Sequence, residues 1–411
     1  MIRKIFAIGA VFSLAIISCV GLAIAADPYV VGYQTDVTGP GNVNYAPQGE
    51  GFRLYMQALN ARGGINGHPV KMIYEDDKSS PARSGAIAKK FILEDKVLLI
   101  AGLSFSHSHP PVYEQAKKYK VPVIVPFSSP AAMFAPAEND AEYIFSIGPV
   151  MSTKFHFHGY GEAIVLSKLF KKGTTVASMS YATPGGRTLS TWGANWAEKR
   201  GFKVVYHEDI PPGTVDVSSW AQQVAKINPD VLMASWGGEI VVPMLVALEK
   251  LGWNGAVLCG NFINTEDFLK AMKLLIEPKK NVYLFSEITL PPNFAEKSVP
   301  VYKKMQEAMK KYGHKYVLSA RHASGWLTAM VVEAALKKAG WPATRASVLD
   351  ALEKTNLNTE GLEGGPIIFT KTDHRGSSYI RCYRWDPDKK LMIDALGWIK
   401  MEPAKIAKGS N

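Results

Sequence analysis

Cysteine is scarce in this chain, with three in 411 residues, and one of them, Cys19, lies in an apolar leader. That leaves Cys259 and Cys382, far apart in sequence; an oxidising compartment permits them to pair, and two buried free thiols fit the composition equally well. The signatures of phosphate-binding and hydrolytic enzymes are missing: no Walker loop, no Gly-x-Ser-x-Gly elbow, and no Gly-x-Gly-x-x-Gly after the first strand. Beyond the leader no apolar run is long enough to span a membrane, and there is neither a solenoid-length repeat nor a low-complexity linker. Acidic residues are outnumbered, 36 against 47 Lys and Arg, for a formal charge of +11. The lysines fall in scattered pairs such as Lys89-Lys90, Lys171-Lys172 and Lys310-Lys311, without interleaved aromatics, so solvated helix faces are expected and no nucleic-acid partner.

Arg3 and Lys4 precede the apolar run from Ile5 to Val20, and Ala23-Ile24-Ala25 supplies a signal-peptidase site, so residues 1–26 read as a leader. Ile16-Ile17-Ser18-Cys19 also fits a lipoprotein box, which would leave a diacylated Cys19 as the new N-terminus. On either reading the protein is exported. The remainder is too long for one ordinary core and points to two lobes.

Short β-branched runs, the mark of strands buried on both faces, alternate with amphipathic helices. Tyr29 to Tyr33, Val70 to Tyr74 and Val97 to Ala101 are expected strands, separated by helices from Gln48 to Ala61 and from Ser80-Pro81 onward. The alternation resumes after Gly148-Pro149, with helix Ser152 to Phe170 and strands at 175–179, 203–207, 231–234, 256–258 and 282–285. Helices follow at about 295–312, 322–339 and 345–352, and Asp386-Pro387-Asp388 marks a hairpin turn in an antiparallel tail. The pattern implies an α/β fold of two doubly wound parallel sheets with right-handed crossovers.

Two junctions draw attention. The runs 98–103 and 121–126 break off into Ser104-Phe105-Ser106-His107 and Phe127-Ser128-Ser129. Buried strands ending in hydroxyls and aromatic rings form a ledge where ligands of open α/β sheets bind, although serines there also serve as helix caps.

Thr38-Gly39-Pro40-Gly41, Tyr45 with Gln48-Gly49, Leu59 to Gly67, and Tyr74-Glu75-Asp76-Asp77 before Ser80-Pro81-Ala82 together resemble the leucine/isoleucine/valine-binding family, type I periplasmic binding proteins of ABC importers. The resemblance implies two lobes joined by three crossover strands near Pro149, Leu290 and Leu362. Residues 27–148 with about 290–361 would form the first lobe, and 149–289 with about 362–411 the second. It further implies a monomer in the periplasm that closes on a small-molecule ligand and engages an inner-membrane ABC permease, with neither catalysis nor cofactor.

By the same comparison Phe105 or Ser106, Phe127, Ser129 and Tyr45 line the first-lobe side; the serine ledge adds Ser128, and His107 reads as a hydrogen-bonding wall. Trp236, Glu239 and Phe262 face them, with Tyr181 as the substitute for a family tyrosine whose place Pro184 takes in this chain. Phe262 stands near the position where amino-acid binders of the family carry the acid that pairs with the ligand's ammonium. An unpaired buried ammonium is costly, so an apolar or aromatic carboxylate is the expected ligand, with a branched-chain or aromatic amino acid as the alternative if Glu239 substitutes. His107-Ser108-His109 and His156-Phe157-His158 have metal-like spacing but no accompanying Cys, Asp or Glu cluster, so no metal is expected. A sensor subunit of the same fold and an exported enzyme are the competing readings.

Overall fold

The computed structural model describes residues 26–126, 141–148, 151–152, 155–260, 268–269, 272, 281–313, 317–376 and 378–401. Five parallel strands, β1 (Tyr29–Thr35), β2 (Val70–Asp76), β3 (Leu99–Gly102), β4 (Val123–Val125) and β5 (Ile144–Ser146), build a first sheet in the order β2-β1-β3-β4-β5. A short antiparallel pair, β6 (Met151–Ser152) and β7 (Phe155–His156), precedes the second sheet. That sheet contains β8 (Thr175–Ser180), β9 (Lys203–His207), β10 (Val231–Ser235), β11 (Ala256–Gly260) and β12 (Val282–Ser286), side by side in the order β12-β11-β10-β8-β9. The little pair β13 (Asn356–Leu357) and β14 (Ile367–Ile368) stands apart, and the hairpin β15 (Tyr379–Asp386) and β16 (Leu391–Lys400) extends the second sheet antiparallel from β12. The expected tight turn is there: Asp386 Oδ1 accepts from the N–H groups of Asp388 and Lys389, each at 3.0 Å.

Both sheets reverse their winding order once, between β1 and β3 in the first and between β8 and β10 in the second. At such switch points the following chains diverge to opposite faces and leave a crevice beyond the strand ends.

The helices are α1 (Asn42–Ala61), α2 (Pro81–Leu93), α3 (Pro110–Tyr119), α4 (Phe157–Leu169), α5 (Pro184–Lys199), α6 (Ser218–Ile227), α7 (Gly238–Lys250), α8 (Val301–Tyr312), α9 (Ala320–Ala339) and α10 (Arg345–Leu352). Ser80 and Thr183 cap α2 and α5, each followed by proline at the first helical position. Helix α9, nearly all of it buried, packs on α1. Their backbones touch at glycines: a Cβ on Gly325 would lie 1.8 Å from the Gln48 carbonyl oxygen, and one on Gly51 2.0 Å from that of His322. Three element boundaries differ from expectation by five residues or more. Helix α1 starts six residues before Gln48 and continues through Pro47, α4 begins at Phe157 after the β6–β7 pair, and α8 begins only after Pro300, which stands at its N-cap. Cys259 on β11 and Cys382 on β15 flank β12; both are buried and free.

Candidate ligand site between the two sheets

Beyond β1 the chain turns around Asp36, whose carboxylate accepts from Gly39 N–H (2.5 Å), Gly41 N–H (2.8 Å) and the Ser79 hydroxyl (2.7 Å). Asp77 lies beside it and accepts from Ser79 N–H (2.8 Å), the Ser84 hydroxyl (3.1 Å) and the Ser104 hydroxyl (2.9 Å). Burial raises the Asp77 pKa, and these hydrogen bonds act against that rise. The network fixes the loop before α1, so that Asn44 and Tyr45 reach the crevice together with Ser104, Phe105, Ser106 and His109 at the end of β3.

From the second sheet come Ser180 and Tyr181 after β8, Thr183, Gly185, Gly186 and Leu189 at the start of α5, and Ser235 at the end of β10. The two groups enclose a cavity of about 60 Å³, several times the roughly 10–15 Å³ that one water needs. Phe105 packs edge-on against Tyr45 and Tyr181, with centroids 5.1 and 5.6 Å apart. Gly185 N–H donates to Ser106 Oγ at 3.2 Å, a direct bond between the two sides. Thr183 Oγ1 accepts from Gly186 N–H at 3.1 Å. Ser106 and Thr183 are thus both acceptors toward the first turn of α5, and each keeps its own proton to donate.

Among the described residues the walls carry no charged side chain. His109 is buried, with its pKa pushed down to about 4 by desolvation; its Nε2 lies 2.8 Å from the Ser104 carbonyl and its Nδ1 3.0 Å from the Tyr113 hydroxyl, so the neutral ring is satisfied. Charge stands one layer back. Tyr181 Oη donates to the Glu239 carboxylate and accepts from Gly237 N–H at 2.7 Å, and burial together with the Glu239 charge raises its pKa well above the ordinary value. Arg321 on α9 is fully buried; desolvation lowers its pKa against the pull of Glu287, Tyr45, Tyr181 and Glu239.

The profile of the family described as periplasmic binding protein matches residues 28–390. The chain belongs to that family. The "amino acid binding protein" of Pseudomonas aeruginosa is 32% identical over 133 residues, which covers 31% of this chain and 34% of that protein, so the match spans about a third of the curated relative's length. Two solved structures share the fold over 92% of this chain. One is a branched chain amino acid ABC transporter from Thermus thermophilus with bound valine (TM-score 0.77, 18% identity, 97% of that chain covered). The other is an R. palustris ABC transporter solute binding protein in complex with 4-hydroxybenzoate (TM-score 0.74, 19% identity, 98% covered).

In this periplasmic binding protein Tyr45, Phe105, Ser106 and Tyr181 line the cavity. Glu239 stands behind Tyr181. Trp236 is fully buried in the core, because successive residues leaving β10 point to opposite sides and Ser235 takes the cavity. His107 is outside the lining; its Nε2 lies 2.8 Å from the Ser79 carbonyl and its ring stacks on Phe105. Phe127, Ser128, Ser129 and Phe262 lie outside the described residues. Among the described residues no three His, Cys, Asp or Glu groups could hold a metal ion, and no helix is long and apolar enough to cross a membrane. Sequence reasoning passes over Asn44, Thr183 and Leu189. Asn44 is 4% exposed and its Oδ1 has no partner among the described residues. The available signal for Thr183 was Thr183-Pro184, the same cap-then-proline pattern that marks α2.

Proposed function

We propose that this periplasmic binding protein is the extracytoplasmic solute receptor of an ABC importer, and that it captures a small apolar or aromatic carboxylate between two lobes that close on it. The single observation carrying this reading is the lining itself: aromatic rings, no fixed charge among the described residues, and hydroxyls on Ser106 and Thr183 that accept from α5 and keep a proton to donate. The positive end of α5 lies beside them and favours an anion. An α-amino acid would need an anionic partner for its ammonium, and Glu239 is engaged behind Tyr181. The valine and 4-hydroxybenzoate held by the two related structures bracket the choice.

On this reading residues 1–26 direct export to the periplasm, the two lobes take the segments assigned above, and a monomer presents the closed form to the permease. Closure follows from ligand contacts on both sides, since only differential affinity shifts such an equilibrium. A thermal-shift panel of octanoate, 4-hydroxybenzoate, valine and the corresponding amides tests the ligand class. Acids should raise the melting temperature and amides should not. Stabilisation by valine alone would overturn the carboxylate reading in favour of an amino acid.

A further inference from the structure

Behind the second-sheet wall lies an acid that ligand contact does not explain. Glu162 on α4 is 1% exposed. One carboxyl oxygen, Oε1, is hydrogen-bonded to the hydroxyl of Ser235, which lines the cavity; the other, Oε2, has no partner among the described residues. Each element packed there supplies something that does not neutralise it. Helix α5 presents Gly193, where a Cβ would stand 2.9 Å from Glu162 Oε2. Strand β8 presents Ser178, whose hydroxyl already donates to the Ser190 carbonyl at 2.9 Å. Strand β10 brings Met233 and Ser235, and β11 brings the buried thiol of Cys259, the one titratable group near it among the described residues. Among the described residues no cation faces the carboxyl.

We infer that Glu162 is a positioning residue for ligand selection: its neutral carboxyl donates to Ser235 Oγ and turns the Ser235 proton into the cavity, so that the wall admits a ligand offering an acceptor there. This rests on the carboxylate reading above and gives it a second anchor opposite Ser106. Were Glu162 ionised, Ser235 would donate backward and show its lone pairs to the ligand, repelling a carboxylate. A buried carboxylate with one donor and no counter-charge is strongly disfavoured, and desolvation accordingly lifts the Glu162 pKa to about 8. Ser180 does not compete for the role, because its hydroxyl is committed to the Ser235 carbonyl at 3.1 Å.

Three variants of the full chain test this: E162Q, which keeps a donor toward Ser235 but cannot titrate, E162L, which removes both functions, and S235A. Affinity for the acid of the thermal-shift panel that stabilises most is measured calorimetrically from pH 6 to 9.5. Wild type should bind uniformly up to about pH 8 and then weaken by up to about tenfold per pH unit as the competent fraction falls. E162Q should keep the low-pH affinity throughout, E162L should bind weakly at every pH, and S235A should lose affinity and pH response together. Independently of any ligand, an infrared difference titration of wild type minus E162Q should show a carboxylic C=O band that persists at pH 7 and disappears above pH 8. Parallel wild-type and E162Q profiles, or an absent carboxylic band at pH 7, overturn the inference while leaving the function intact. If no acid of the panel binds, the carboxylate reading fails and this inference with it.

Discussion

Ser104 and Ser235 look across one cavity from opposite sheets, and each has a buried acid behind it. The resemblance ends at the acids. Asp77 collects three donors, two hydroxyls and an N–H, whereas Glu162 has Ser235 alone. The three donors around Asp77 hold Ser104 turned away from the ligand; a carboxyl with one neighbour keeps its proton and turns Ser235 toward it. Similar serine–acid pairs therefore do different work, one fixing a loop and the other setting the polarity of a wall.

Four measurements bear on this contrast, in order of decreasing effect. Asp77→Asn should be the most damaging, because it removes the charge that three donors point at and leaves an N–H₂ facing either the Ser79 N–H or hydroxyls that would have to reverse; a loss of about 2–3 kcal/mol in urea unfolding is expected, against no loss for Glu162→Gln at pH 7. Equal losses for the two would erase the distinction. Gly237→Ala should follow. A Cβ there would lie 2.3 Å from Glu239 Oε2, 2.6 Å from Asn44 Nδ2 and 2.7 Å from Tyr181 Oη, where the first-sheet and second-sheet sides meet. Ligand affinity should fall about tenfold or more, from a strain of ~1–3 kcal/mol, and the melting temperature should fall too, because Glu239 and Tyr181 press on the site without ligand as well.

Third is the pH response of stability. The folded Glu162 pKa is raised to about 8, so the favourable protonated state is fully present below the ordinary carboxylate range and lost as pH rises through 8. Wild type should lose at least about 1 kcal/mol relative to Glu162→Gln between pH 6 and 9. A constant difference between their unfolding curves over that range would count against it. Smallest is Ser106→Ala, which removes one bond between the sides at Gly185; affinity should drop several-fold, for about 1 kcal/mol.

How much of this was legible in the chain depends on what each feature rests upon. Strand and helix alternation is written in local apolar patterning, and 175–179, 231–234 and 256–258 appear as strands within a residue or two of where they were expected. Helix α1 defied the proline at position 47 because its packing on α9, with Gly51 and Gly325 at the contact, outweighs one missing N–H. Phe105, Ser106, Tyr45 and Tyr181 were accessible because they sit just beyond buried strands or carry a family motif. Asn44 and Glu162 were not, since an asparagine in a first helical turn and a glutamate in a helix both read as solvated surface. Their burial is decided by which elements pack around them, information spread over β8, β10, β11 and α5 rather than carried by their neighbours in sequence.

The contact of α9 with α1 has a consequence for how the chain is made. Every strand of the first sheet has been synthesised by residue 146, yet the helix that covers α1 is not complete until residue 339. During translation the earlier half must wait, one apolar face uncovered, while the second sheet's five parallel strands emerge and assemble. The half that is begun first is the one completed late, and a holding factor on that bare helix during synthesis would find its target on α1.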